Sequence, residues 1–256
     1  MTDNRIYIAV AGNIGAGKST LVEFLTRTYG VSPFYEPNDE NPYLEDFYKD
    51  MNAWAFHSQT FFLAHKFRLH QELANTPGIV VQDRTIYEDA EIFATAAFKS
   101  GRMTDRDWNL YQVMYRTILK SLRPPDLLIY LKCSIKTTKQ RIKLRGREME
   151  QAIPTSYLKL LQELYDEWLE GWTSCEVLRL DTDNLDYVSD LVDRLDVMAR
   201  IERLLPRASI EAARASTTTA AQRGHLLRAD PATGDGAAAA VVPSSASPKP
   251  TTRPSP

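Results

Sequence analysis

Cysteine is almost absent from this 256-residue chain. The two that occur, Cys133 and Cys175, form no Cys-x-x-Cys pair and stand near no histidine cluster, so a disulfide framework and a zinc site are both excluded as organising devices. Both are expected to behave as small buried hydrophobes. Long hydrophobic runs are missing too. The first apolar run, 6–10, is far too short to span a bilayer and has no signal-peptide profile, so no membrane partner is expected and a reducing cytoplasm is the expected location. Charge of one sign is lacking: the formal net charge is -2 and the pI near 6.1, which gives no field to concentrate the chain on nucleic-acid polymers. No fixed-period repeat occurs, which excludes a solenoid. From position 206 onward no Phe, Tyr or Trp occurs, and half of the fourteen prolines lie in that remainder. Residues 206–256 are therefore expected to be a disordered Pro/Ala/Ser/Thr-rich tail, either a solvated extension or a docking arm, with the short patch at 225–227 an exception to the disorder.

What remains is one domain of residues 1–205, in which short apolar runs alternate with longer amphipathic stretches. Strands are expected at 5–11, 31–36, 78–83, 126–132 and 176–180. Helices are expected at 19–29, 43–75 (long enough for two), 87–99, 104–122, 135–144, 154–172 and 186–204. This alternation predicts an α/β fold with a five-stranded parallel sheet whose strands are nearly continuous in hydrophobicity because helices cover both faces.

The sharpest motif is Gly12-Asn13-Ile14-Gly15-Ala16-Gly17-Lys18-Ser19, which fits the phosphate-loop pattern G-x-x-x-x-G-K-[ST] between an expected strand and an expected helix. Such a loop curls its backbone so that successive N–H groups point at phosphate oxygens, with the helix N-terminus adding positive potential. Lys18 would then reach the outer phosphates and the Ser19 hydroxyl would ligate Mg²⁺. A phosphate-bound Mg²⁺ commonly takes help from a carboxylate at a neighbouring strand end, and Asp83 closes the run 79–83 immediately before Arg84; capping the next helix is its alternative duty. Arg141 and Arg145 share a helix face and Arg147 follows, an arrangement suited either to a solvated face or to a lid that stabilises charge on a transferred phosphoryl group. Glu36 stands at the carboxyl edge of the second strand, where open parallel sheets bind ligands; it can accept a hydroxyl proton or form a surface ion pair. The helix carrying Trp54, Phe56, Gln59, Phe62 and Lys66 reads as core, except that Gln59, with Asp89, suits a base edge as combined donor and acceptor.

From about residue 6 to 204 the chain resembles the deoxynucleoside kinase family, in particular its bacterial deoxyadenosine/deoxyguanosine kinases. The matching pieces are G-N-I-G-A-G-K-S-T (ending at Thr20), E-P-N-D-E-N-P-Y-L, F-H-S-Q-T, D-R-T-I-Y-E-D and Q-R-I-K-L-R-G-R-E-M-E-Q. The resemblance implies a P-loop NTPase-type three-layer fold with an arginine-rich lid, ATP and Mg²⁺ as cofactors, a small deoxynucleoside as substrate and a homodimer. It also implies that Glu36 is general base for the 5′-hydroxyl, that Asp83 acts on the Mg²⁺ side and that Arg84 holds the 5′ end. Tyr48 and Glu150 would hold the sugar 3′-hydroxyl, Gln59 and Asp89 the base edge, and Phe93 a base face; 181–187 would lie near the ATP adenine. Two positions depart from the family pattern: Asp83 where glutamate is common, and Lys66 where an arginine often contacts the base. Two other functions compete. A thymidylate-type monophosphate kinase would want a cation rather than Glu36 at that edge, and a P-loop switch would want a mobile threonine there.

Overall fold

A computed structural model of the chain describes residues 5–35, 40–207 and 210–211. Five strands, β1 (Ile6–Gly12), β2 (Ser32–Phe34), β3 (Ile79–Asp83), β4 (Leu127–Lys132) and β5 (Glu176–Asp181), form a wholly parallel sheet in the order β2-β3-β1-β4-β5. Helices α1 (Lys18–Tyr29), α2 (Leu44–Lys49), α3 (Met51–Asn75), α4 (Ile86–Glu88), α5 (Thr95–Lys99), α6 (Asp105–Leu119), α7 (Ile135–Arg145), α8 (Glu148–Gln151), α9 (Thr155–Glu170) and α10 (Leu191–Leu204) supply the crossovers. The expected α/β architecture is thus the observed one.

Burial follows sheet position. The inner strands β1 and β3 are buried at every residue, as strands covered on both faces must be. β5 is different from the expectation: at the sheet edge, Glu176-Val-Leu-Arg-Leu-Asp181 alternates, with Leu178 and Leu180 turned into the core and the charged residues turned out. On one face, Ile8, Val10, Val81, Ile129 and Leu131 pack against Leu21, Val22 and Leu25 of α1 and Val197 and Ile201 of α10. On the other, Tyr7, Ala9, Val80, Leu128 and Tyr130 meet Leu158, Leu161, Leu164 and Tyr165 of α9. A third cluster joins α3, α4, α5 and α6 through Leu63, Ile86, Ala97, Tyr111 and Tyr115. Each large apolar side chain so buried contributes about 1.5–3 kcal/mol relative to exposure.

Caps decide where helices break. The Asp50 carboxylate accepts from the Asn52 and Ala53 N–H groups, which splits 43–75 into α2 and α3. Asp190 does the same for Val192 and Asp193, so α10 begins at Leu191 rather than at 186. The helix expected at 87–99 is interrupted by a π-helical turn, Asp89–Ala94, between α4 and α5. Of the two cysteines only Cys133 is fully buried; Cys175 is half-exposed, on the Trp172 indole N–H. Ile210 is buried in the first core cluster, past the boundary expected after 205. Apart from 206, 207, 210 and 211, the proposed tail lies outside the described residues, as do 36–39.

His70 of α3 is buried against the edge of the Tyr7 ring, its Nε2 without a hydrogen-bond partner. Burial holds its pKa below the ordinary value of 6.5, while a backbone bond at Arg123 opposes. The unfolded chain therefore binds the proton more readily, so the stability associated with neutral His70 is complete above about pH 6.5 and is lost as pH falls through the lowered folded value. Thermal unfolding should show a midpoint that drops below about pH 6.5, with a shallower drop in His70→Gln; equal slopes would contradict this.

Candidate active site

The carboxyl ends of β1 and β3, the N-terminus of α1 and the loop after β5 surround a cavity of about 800 Å³. Its phosphate-loop end is built by turning carbonyls outward. Gly12 is held where an added Cβ would lie 2.8 Å from the Leu131 carbonyl oxygen, and Gly17 sits at φ +98. Each outward carbonyl finds a donor. Tyr165 Oη lies 2.8 Å from the Gly12 oxygen. Arg141 donates to the Ala16 oxygen at 3.0 Å, and Thr182 Oγ1 reaches the same oxygen at 3.4 Å. The Tyr187 hydroxyl donates to the Gly17 oxygen at 3.3 Å. The Gly12, Ala16 and Gly17 oxygens share peptides with the Asn13, Gly17 and Lys18 N–H groups, so engaging these carbonyls outside turns those N–H groups the other way, the arrangement that binds anions. The Gly12, Ile14 and Ala16 N–H groups are bonded within the protein. Asn13 is buried beneath the loop, its amide donating to the Leu158 carbonyl. Lys18 Nζ donates to the Gly12 and Asn13 oxygens at 2.9 and 3.1 Å.

Ser19 Oγ donates to Asp83 Oδ2 at 2.5 Å, so the hydroxyl and the strand-end carboxylate meet as the motif spacing suggested. Asp83 Oδ1 is buried with no hydrogen-bond partner, an acceptor suited to a hard cation or its water. Arg84 takes a left-handed backbone at φ +59, and its guanidinium lies 4.1 Å over the Phe93 ring. Phe93 and Asp89 both lie on the π-helical turn and both line the cavity.

Ile14, Gly15, Ala16, Gly17, Lys18, Ser19 and Thr20 line this cavity together with Tyr48, Gln59, Asp83, Arg84, Arg141, Arg145, Arg147 and Glu150. Gly12 and Asn13 support it from behind rather than lining it. Gln59 is buried with its Oε1 unpaired, an amide open to a ligand edge. The arginines are not equivalent. Arg141 spends its guanidinium on Ala16 and on Thr182, whereas Arg145 and Arg147 both reach the Glu150 carboxylate, Arg147 at 3.5 Å. Glu36 lies outside the described residues; its neighbour Tyr35 lines the cavity.

Lys66 does not line the cavity. It is fully buried, donates to the Arg84 carbonyl at 2.6 Å and pairs with Asp89 at 3.8 Å. Trp54 and Phe56 pack in the third cluster, while Phe62 reaches the cavity. Sequence reasoning missed Tyr157, Leu44, Phe47 and Thr182 as lining residues. Thr182 falls inside the segment 181–187 that the resemblance singled out, and Leu44 closes the piece E-P-N-D-E-N-P-Y-L; Tyr157 and Phe47 carry no motif.

Comparison with known proteins agrees with this geometry. The family model described as deoxynucleoside kinase matches residues 8–206. The chain belongs to the deoxynucleoside kinase family. A Bacillus subtilis deoxyadenosine/deoxycytidine kinase is 38% identical over 185 residues, covering 72% of this chain and 85% of that protein. A Lactobacillus johnsonii deoxyguanosine kinase is 36% identical, covering 76% and 90%. Among solved structures, the deoxyadenosine kinase of M. mycoides with bound dATP aligns at a TM-score of 0.68 with 30% identity, over 77% of this chain and all of that one. The kinase is therefore a phosphotransferase of nucleoside salvage acting at a 5′-hydroxyl, and the monophosphate-kinase and switch readings fall away.

Removing one member of a buried ion pair strands the other, which typically costs about 3–5 kcal/mol. Lys66→Met should lower unfolding free energy in urea by about that amount; a change under about 1 kcal/mol would show that Asp89 does not depend on the pair.

Proposed function

We propose that the kinase transfers the γ-phosphoryl group of ATP to the 5′-hydroxyl of a purine deoxynucleoside, deoxyadenosine or deoxyguanosine, with Mg²⁺. The observation that carries the reading is one continuous cavity with a phosphate loop at one end and Gln59, Asp89, Phe93 and Tyr48 at the other. A base could stack on Phe93 and exchange hydrogen bonds with the Gln59 amide, whose Oε1 is otherwise unpaired. Tyr48 and Glu150 would take the sugar. Purine preference is supported by the family branch that the sequence resembles and by relatives named for deoxyadenosine and deoxyguanosine; the Bacillus subtilis relative is named for deoxycytidine as well.

In this mechanism Glu36 takes the proton from the 5′-hydroxyl while the phosphate loop and Lys18 hold the donor in line. The position of Tyr35 in the cavity wall supports Glu36 at that edge, one residue on. Ser19 and Asp83 would hold Mg²⁺, and the unpaired Asp83 Oδ1 fits that duty. When bound, the cation neutralises charge on the phosphate oxygens. Arg84 would hold the 5′ end. Arg145 and Arg147 form the lid that stabilises the transferred group, with Arg141 holding loop and lid together. The catalytic unit is residues 1–205 with a non-catalytic tail. It works as a homodimer in the cytoplasm: Leu110 and Val113 leave an exposed apolar stripe on α6, and no helix among the described residues is long and apolar enough to cross a membrane.

Steady-state assays with deoxyadenosine, deoxyguanosine, deoxycytidine and thymidine, alongside their monophosphates, should give the highest kcat/KM for a purine deoxynucleoside. Best turnover of deoxycytidine would overturn the purine preference, and turnover of a monophosphate alone would overturn the reaction. Glu36→Gln should lower kcat by about two or more orders of magnitude with ATP affinity kept; near-normal turnover would remove Glu36 from its role.

A further inference from the structure

Glu88 is the one carboxylate of D-R-T-I-Y-E-D that the reaction has not used, and it is completely buried. It sits three residues after Thr85 and closes a capping box: its Oε2 accepts from the Thr85 N–H at 2.9 Å, and Thr85 Oγ1 accepts from the Glu88 N–H. The same chain holds a second capping box, Thr104 with Asp107, which lies at the surface where an acidic residue has water for its spare lone pairs. Burial removes that option, so Glu88 needs other donors.

It has two, and both concern the phosphate loop. Glu88 Oε1 accepts from the Gly12 N–H at 3.2 Å and lies 2.8 Å from the Tyr165 hydroxyl, whose single proton it shares with the Gly12 oxygen. The Gly12 peptide needs this because the sheet lets go of it. Arg84 N–H donates to the Val10 carbonyl, which continues the β1–β3 ladder one step past Asp83. The next bond of a parallel ladder would run from Gly12 N–H to the Arg84 carbonyl. The left-handed backbone of Arg84 turns that carbonyl to Lys66 Nζ instead, and the Glu88 carboxylate stands in for it. Tyr165 from α9, placed 2.8 Å from both Glu88 Oε1 and the Gly12 oxygen, fixes the other side of the same residue. Lys18 Nζ rests on that oxygen too.

We propose that Glu88 is a positioning residue whose carboxylate, with Tyr165, fixes the Gly12 peptide against the Asp83–Arg84 turn and so sets the phosphate loop and Lys18 relative to the acceptor half of the cavity. The assignment rests on the ATP-to-nucleoside reading for its consequences. Burial pushes the Glu88 carboxyl pKa up, and the Arg84 and Lys18 charges pull it back, as befits a group tied to both halves of the site. The Asp83–Arg84 turn keeps its holds on Val10 and Lys66 when Glu88 is altered, so the disturbance falls on the loop.

Glu88→Gln keeps the volume but turns one acceptor into an NH₂ group that must face a donor. Leaving a buried donor unmet is a costly defect, and kcat/KM for ATP should fall about tenfold or more, with a raised ATP Kd in equilibrium titration and the deoxynucleoside KM within about threefold. A merely structural role would lower the folded fraction, reduce kcat for both substrates alike and leave both KM values where they were. Tyr165→Phe should lower kcat/KM for ATP severalfold, and the double variant should lose less than the product of the two single losses, because both act on Gly12. Values for Glu88→Gln within twofold of wild type, or losses that multiply, would overturn the proposal; should Glu88→Gln not fold, Tyr165→Phe with unchanged ATP kinetics would do so. If the wild-type protein phosphorylates no deoxynucleoside, the proposed reaction fails, while the ATP Kd of Glu88→Gln against wild type still decides the role of Glu88.

Discussion

Each carbonyl that the phosphate loop turns away from its cavity must be met by a donor brought from elsewhere in the chain, and most of this fold is arranged around that demand. Peptide groups have two ends. If the N–H groups of Asn13, Gly17 and Lys18 are to face an anion, the oxygens of Gly12, Ala16 and Gly17 must face protein, and an unpaired buried carbonyl would cost about 1–3 kcal/mol. The donors come from α7, α9 and the segment after β5: Arg141, Tyr165, Thr182 and Tyr187. None of these elements adjoins the loop in sequence.

The sheet order follows the same logic. β1 lies at the centre, with β3 on one side and β4 on the other, so the loop leaves the sheet where both neighbours end. β3 delivers Asp83 to Ser19, and its continuation places Arg84 and the π-helical turn beside the loop. β4 delivers the Leu131 carbonyl, whose closeness leaves room for no side chain at Gly12. Packing of α1 and α10 on one face and α9 on the other makes this placement rigid, because a close-packed core does not deform continuously. The acceptor end rests on a separate cluster among α3 to α6, with the Lys66–Asp89 pair buried where the two regions join.

Legibility in the sequence was uneven, for physical reasons. Inner strands were readable because burial on both faces demands unbroken apolar runs, as in Ile79-Val-Val81. β5 was read as a strand but not as an edge, since a neighbour that is missing on one side leaves only a period-two pattern in six residues. The break at Asp50 and the start at Leu191 turn on single caps, which act over two or three residues and carry little periodic signal. Lys66 stands where the family pattern often has an arginine that contacts the base; in the fold it reaches the Arg84 carbonyl and Asp89. Tyr157 and Phe47 line the cavity without any motif, and only packing brings them there.

By itself the sequence determined the phosphate loop, the parallel α/β alternation and the kinase family, since these depend on glycines, a lysine and apolar runs whose meaning is local or periodic. Tertiary structure decided which groups serve the loop from behind. Glu88 and Tyr165 are 76 and 153 residues from Gly12, and nothing in the spacing announces that one carboxylate and one phenol meet at its peptide. A hydrogen bond is fixed by distance and direction in space, and those are set only once the sheet and its two helical layers have closed.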